Sequence, residues 1–136
     1  MVQSISDINL SDKLTKWFSS NKRDLPWRKT KDPYLVWVSE IILQQTRIET
    51  GIKYYQSFIK KYPDVKLLAK SNKQQLLKIW EGLGYYSRAL NMHKAAKQVL
   101  LNHGGIFPND YLSLINLPGV GDYTASAISS ICNNEK

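Results

Sequence analysis

A chain of 136 residues is one domain's worth of protein, and 43% hydrophobic with 11% aromatic residues can build a core, which excludes a disordered chain. Nineteen Lys and Arg against eleven Asp and Glu leave a net charge of +8 and a pI near 9.6, a balance that favours an anionic partner such as nucleic acid without establishing one. No run approaches the ~18 apolar residues of a membrane span, Met1 to Leu10 lacks the order of a signal peptide, and one cysteine, Cys132, excludes an internal disulfide or a multi-cysteine site within the chain. The chain therefore reads as intracellular, with Cys132 a buried thiol on the last helix.

Apolar residues recur at three and four positions in segment after segment, with almost no strand-like alternation, so the domain is expected to be all-helical. Leu10, Leu14, Trp17 and Phe18 line one face of a first helix with Ser11 as its cap. The polar stretch from Ser19 to Lys31 is a loop, because Pro26 interrupts any helix, and it carries Leu25 and Trp27 as large apolar groups. Asp32 followed by Pro33 opens a helix to about Leu43 that is apolar almost all round. Thr46 and Glu49 stand at capping-box spacing for a helix that begins near Arg47, buries Ile48, Ile52, Tyr55 and Ile59, and ends before Pro63. A helical turn around Leu67 and Leu68 precedes a second capping box, Ser71 and Gln74, ahead of Leu76, Leu77 and Trp80.

Gly82 and Gly84 mark a break, and Tyr86 to His103 then has the length of a long helix closed by Gly104 and Gly105. Asn109 or Asp110 caps a short helix through Ile115. Leu117, Pro118, Gly119, Val120 and Gly121 form a tight hairpin, and Asp122 begins a last helix carrying Ala125, Ile128 and Ile131. Two short helices joined in this way can turn several backbone N–H groups toward one concave surface at the positive end of the second helix, which suits a phosphate. Glycine at 119 and 121 is expected to permit close approach or unusual backbone angles. Such a site needs no base edge and holds DNA without reading sequence.

The run Leu117-Pro118-Gly119-Val120-Gly121 with Thr124-Ala125 and Ile128 resembles the helix–hairpin–helix of the DNA glycosylase superfamily that includes endonuclease III and the MutY-type adenine glycosylases. Leu25-Pro26-Trp27-Arg28, Ser39-Glu40 with Leu43-Gln44-Gln45-Thr46, and Trp80-Glu81-Gly82-Leu83-Gly84-Tyr85-Tyr86 are similar to the MutY-type pattern, in order and with fitting spacing, from about Arg23 onward. The resemblance implies an all-α, six-helix barrel-type domain over 23–136 with its helix–hairpin–helix at about 109–132, preceded by an N-terminal helix within 1–22 and cut before an iron–sulfur domain. It implies double-stranded DNA with an adenine mispair as partner, a monomer, no membrane, and the cytoplasm or nucleoid of a bacterium as location.

Releasing adenine requires protonating the base, because the adenine anion leaves poorly at neutral pH, and a positioned carboxylic acid can do so. From Tyr34 to Leu43 the only polar side chains besides the tyrosine are Ser39 and Glu40, so burial of this helix would raise the pKa of Glu40 and keep it protonated. A glutamate on a narrow solvent-facing stripe is the alternative. The resemblance favours the acid, since Glu40 matches the family's proton donor. The sugar's developing positive charge calls for a second carboxylate, an aspartate shortly after the hairpin's second helix in this family. None of the acidic residues, Asp122 and Glu135 included, matches it, so the 136-residue chain is expected to bind duplex DNA but release adenine very poorly.

Where relatives that also cut the strand carry a Schiff-base lysine, two residues after the second glycine, this chain has Tyr123, which implies a glycosylase without strong lyase activity. Tyr123 either helps shape the sugar intermediate or packs beside the hairpin. A base in a duplex must be flipped out and its gap filled. The resemblance implies DNA contacts from Gln44, Gln45, Leu83, Tyr85 and the hairpin residues Leu117, Gly119, Val120 and Gly121, with Gln45 and Tyr85 as wedges. Gln45 is otherwise a helix-end amide, and of Tyr85 and Tyr86 one is expected to pack inward and one outward. Arg23, Leu25, Trp27, Arg28 and Leu43 are expected to form the adenine pocket, with Trp27 alternatively plain core, as Trp17, Trp37 and Trp80 are read. No metal site is assigned, and His93 and His103 have no partner at metal spacing. The [4Fe–4S] cluster of the family is expected of the full-length protein and not of this chain, whose single cysteine cannot ligate it.

Overall fold

The computed structural model describes residues 30–44 and 46–133. Among them are seven helices and no strand: α1 (Pro33–Leu43), α2 (Ile48–Lys61), α3 (Val65–Ala69), α4 (Lys73–Trp80), α5 (Tyr86–Asn102), α6 (Tyr111–Ile115) and α7 (Asp122–Asn133). The expected N-terminal helix within 1–22 lies outside the described residues. Helix α1 packs on α2 on one side and α7 on the other, α2 meets α4, and α5 collects α3 and α4. The central position of α1 follows from its sequence, because a helix apolar on every face must be covered on every face. Val36, Trp37, Val38, Ile41 and Ile42 are all essentially removed from solvent. Trp37 lies against Phe107 with ring centroids 4.7 Å apart, so the segment after α5 closes the core over the same helix.

Helix starts follow local chemistry, in places one residue away from the expected register. Asp32 caps α1, its carboxylate accepting from the Tyr34 N–H at 2.9 Å with Pro33 in the first turn. Asp64 and Asp110 cap α3 and α6 in the same way, which selects Asp110 over Asn109. The two capping boxes do not form. Helix α2 starts from Arg47 with no side-chain cap, while the Thr46 hydroxyl donates to the Gln44 carbonyl at 3.3 Å. Helix α4 is capped by Asn72, whose oxygen accepts from the N–H groups of Gln74 and Gln75, and Ser71 donates instead to the Leu68 carbonyl. Asparagine is at least as good a cap as serine and lies one residue closer to the helix, so it wins. The inward face of α2 is Ile48, Gly51, Tyr55 and Phe58, with Ile52 and Ile59 half-buried at its flanks. Long α5 packs through Ala89, Ala95 and Ala96, small residues that let neighbouring helices approach closely. Its end is closed by Gly104 and Gly105, as the sequence indicates.

Candidate functional site

Glu40 projects from the middle of α1, half-buried, and makes no hydrogen bond or ion pair with any described residue. Removal from water without a compensating partner favours the neutral acid, and burial pushes its pKa from 4.5 to about 7. The charged form is therefore the one the fold opposes. Relative to acid conditions, the native state loses stability as pH rises from 4.5 through about 7, because the unfolded chain ionises first. At about pH 8, Glu40→Gln should stabilise the chain by roughly 1–3 kcal/mol, and the gain should vanish below the ordinary carboxylate pKa. Equal melting temperatures for the two proteins at both pH values would contradict this reading of Glu40.

Helix α7 brings the hairpin to this carboxyl. Tyr123, in its first turn, is 73% exposed, and its phenol pKa is raised first by the charge of Glu40 and then by burial, so the carboxyl's field reaches it. Next to it Thr124 is buried, and its hydroxyl accepts from the exposed Gln44 side chain at 3.3 Å, fastening the end of α1 to the start of α7. Cys132, half-buried near the end of α7, is the single thiol in the sequence, so the residues present do not fit a four-cysteine cluster.

The first bond of α7 runs from the Ala125 N–H to the Gly121 carbonyl, which makes Gly121 its cap residue. A glycine cap has no side chain to accept hydrogen bonds. The carboxylate of Asp122 is turned aside, accepting from the Tyr111 hydroxyl at 2.6 Å. The N–H groups of Asp122, Tyr123 and Thr124 thus find no acceptor among the described residues and lie at the positive end of a 12-residue helix. Of the two glycines, only Gly119 has a left-handed backbone, with φ at +79°, and a Cβ there would stand 2.8 Å from the Asn91 Cβ. Gly121 has an ordinary φ and nothing within 4 Å of where its Cβ would point, so the expectation of a special backbone holds at 119 and not at 121. At 121 the glycine leaves open space beside the free amides. The side chains of Leu117 and Val120 are buried in the core, so the hairpin offers its main chain, not these side chains, to a ligand.

Tyr85 and Tyr86 depart from the expected one-in, one-out arrangement: both are exposed, at 62% and 45%. The break before α5 explains this. Gly82 and Gly84 take positive φ, Tyr85 follows at φ +50°, and the Trp80 indole donates to the Gly84 carbonyl at 3.0 Å, so Trp80 fills the inner space. Tyr85 thereby stands out from the surface beside half-buried Leu83. Leu43 is buried against Gly51 within the core cluster, leaving it at most an edge of any pocket. Arg23, Leu25, Trp27, Arg28 and Gln45 lie outside the described residues.

One residue absent from the sequence reading stands at the junction of these parts. Arg88 reaches back from the first turn of α5 and donates through Nη1 to the carbonyls of Ile41 and Gln44, each at 2.6 Å. Its guanidinium carbon lies 5.3 Å from the Trp80 ring centroid and 5.7 Å from that of Tyr85. A cation in the first turn of a helix opposes the helix dipole, and that placement was the available sequence signal.

Comparison with known proteins places this geometry in context. The profile described as "HhH-GPD superfamily base excision DNA repair protein" matches residues 38–133. An adenine DNA glycosylase of Buchnera aphidicola subsp. Baizongia pistaciae is 46% identical over 118 residues, covering 86% of this chain and 34% of the relative. The Homo sapiens adenine DNA glycosylase is 42% identical over 127 residues, covering 87% of this chain and 23% of the relative. The chain thus spans about a third or less of these relatives. Among solved structures, a thermostable thymine-DNA glycosylase superposes with a TM-score of 0.78 at 32% identity, covering 96% of this chain and 60% of that one. An endonuclease III trapped as a covalent intermediate with DNA superposes at 0.71 and 20% identity, covering 98% and 62%, a likeness of fold.

Proposed function

The chain belongs to the HhH-GPD superfamily of base excision DNA repair proteins, and on that premise we propose that it is the part of an adenine glycosylase that grips duplex DNA and supplies the catalytic acid. The substrate is adenine opposite 8-oxoguanine or guanine. The observation that carries this reading is Glu40, a carboxyl whose pKa burial pushes to about 7 and whose charge is felt by Tyr123, on the same α7 whose first amides find no acceptor among the described residues. With the base extruded, Glu40 gives its proton to an adenine ring nitrogen while the N-glycosidic bond breaks. The bonding electron pair leaves with the neutral base, and the sugar becomes an oxocarbenium ion. A water molecule adds at the sugar carbon and loses a proton, leaving an abasic site. Tyr123 has no amine and cannot form a Schiff base, which supports simple hydrolysis without strand cleavage.

The protein that carries this domain works as a monomer in a bacterial cytoplasm or nucleoid, with its glycosylase domain over 23–136 and its cluster cysteines in other sequence. The oxocarbenium ion needs a negative charge that no residue of this chain is assigned to supply, so these 136 residues should bind far better than they cleave. Binding rests on phosphate contacts and should be salt-sensitive, weakening at least about tenfold between roughly 50 and 200 mM salt. A duplex affinity independent of salt would remove the hairpin and the +8 charge from the account.

The deciding experiment joins this chain to a segment that supplies a second carboxylate and measures base release from duplexes holding A opposite 8-oxoguanine, A opposite G, and T opposite G. Adenine release from the first two supports the proposal. Release of thymine alone would favour a second reading, a mismatch thymine glycosylase, which the 32% identity to the thymine-DNA glycosylase supports. Binding with no release of either base would indicate a non-catalytic helix–hairpin–helix module.

A further inference from the structure

We propose that Arg88 is a positioning residue that couples the wedge elements to the acid's helix, so that base extrusion depends on its guanidinium rather than on the general stability of the fold. The inference rests on the proposed base-flipping reading and adds a residue to it. Four parts must keep fixed separations for a duplex to be opened over Glu40: the end of α1, the Gln44 turn, the exposed Tyr85 and the hairpin. Arg88 touches the first three directly. Nη1 binds the carbonyls of Ile41, the residue after Glu40, and of Gln44, while the Tyr85 ring lies against the guanidinium and the Arg88 N–H returns to the Tyr85 carbonyl at 2.9 Å. The hairpin meets the same group across a small cavity of about 30 Å³ bordered by Ile41, Gln44, Arg88, Asn91 and Gly119. The Gln44 side chain completes the circuit through Thr124 of α7.

The chemistry of Arg88 is poorly suited to a purely structural post. Its Nε and Nη2 are buried with no acceptor among the described residues, and burial lowers its pKa, opposed only by the Tyr85 phenol. Burying a cation without a carboxylate partner contributes little net stability, and an apolar side chain of similar shape often does as well. A planar guanidinium is what the geometry requires, since one flat group must bind two carbonyls and lie against two rings at once. Lysine keeps the charge and can donate to both carbonyls, but it has no plane to lie against the two rings.

The test uses the 136-residue chain and a duplex in which 2-aminopurine replaces the mispaired adenine, its fluorescence rising when it is unstacked. Wild type should give a several-fold rise on binding. Arg88→Met and Arg88→Lys should each cut that rise at least fivefold, with duplex affinity within about threefold of wild type and a melting temperature within a few degrees. A folded variant of either kind that retains the full fluorescence rise overturns the proposal. Collapse of both variants to unfolded chains, by circular dichroism, overturns it as well, because Arg88 would then be a requirement of the fold. If wild type itself binds without any rise, the base-flipping reading fails first, and that outcome is distinct from the variants matching a responsive wild type.

Discussion

In a protein that joins this chain to a second carboxylate, Glu40→Gln is expected to reduce adenine release by roughly 10²–10⁴-fold while leaving duplex affinity within a few-fold. Glutamine keeps the shape and the polar tip but has no proton to give at any accessible pH. The wild-type rate should rise as pH falls from about 8 to about 6, with an inflection near the Glu40 pKa of about 7, because only the neutral carboxyl donates. The residual rate of the glutamine variant should lack that inflection. Single-turnover rates across the pH range measure both effects together. An unchanged rate in the variant would remove Glu40 as the acid whatever its pKa.

The second large effect is expected at the hairpin, where two glycines should fail in different ways. Gly119→Ala forces a side chain onto a left-handed backbone at φ +79° and places a methyl 2.8 Å from the Asn91 Cβ. The strained conformation costs about 1–2 kcal/mol, and overpacking adds a comparable amount, so the variant should melt lower and bind DNA at least about tenfold more weakly. Gly121→Ala meets no neighbour and an ordinary φ, so it should melt like wild type. Its methyl nevertheless enters the open space beside the free amides, where a phosphate would approach, and duplex affinity should fall. Thermal melts and binding isotherms of both variants at one salt concentration separate the two mechanisms. If Gly121→Ala bound DNA like wild type, the amides of α7 would not be the phosphate site.

Most of the helical order was legible because periodicity and breakers are local. Asp32-Pro33, the glycine pairs at 82 and 84 and at 104 and 105, and the Leu117 to Gly121 run each announce a boundary within a few residues. Register at the caps was less secure. Ser71 and Asn72 are both competent, and only the folded chain shows which one the amides of Gln74 and Gln75 choose. Glu40 was legible as an isolated carboxyl on an apolar helix, whereas its nearness to Tyr123 depends on α1 packing against α7, some eighty residues later. Neither Tyr85 nor Tyr86 packs inward as expected of one of them, because the inner space beside the break is filled by Trp80, whose indole binds the Gly84 carbonyl. Arg88 could not be placed from sequence, since its partners are carbonyls 47 and 44 residues away and any residue type supplies a carbonyl.

The central burial of α1 has a consequence for how such a protein can change over time. In many enzymes the reactive groups sit on loops, and the scaffold beneath can be repacked by drift without touching them. Here the helix that carries the acid is also the one that α2 and α7 pack against, with Val38 and Ile42 directed into the core within two residues of Glu40 on either side. A substitution at one of the buried positions that flank Glu40 should alter melting behaviour and the setting of the carboxyl in one stroke. Tolerated sequence variation should therefore be lowest in this helix and highest on the outer faces of α2 and α5, and deep mutational scanning scored separately for abundance and for repair should find the two scores falling together at the buried positions of α1 and parting at Glu40 itself.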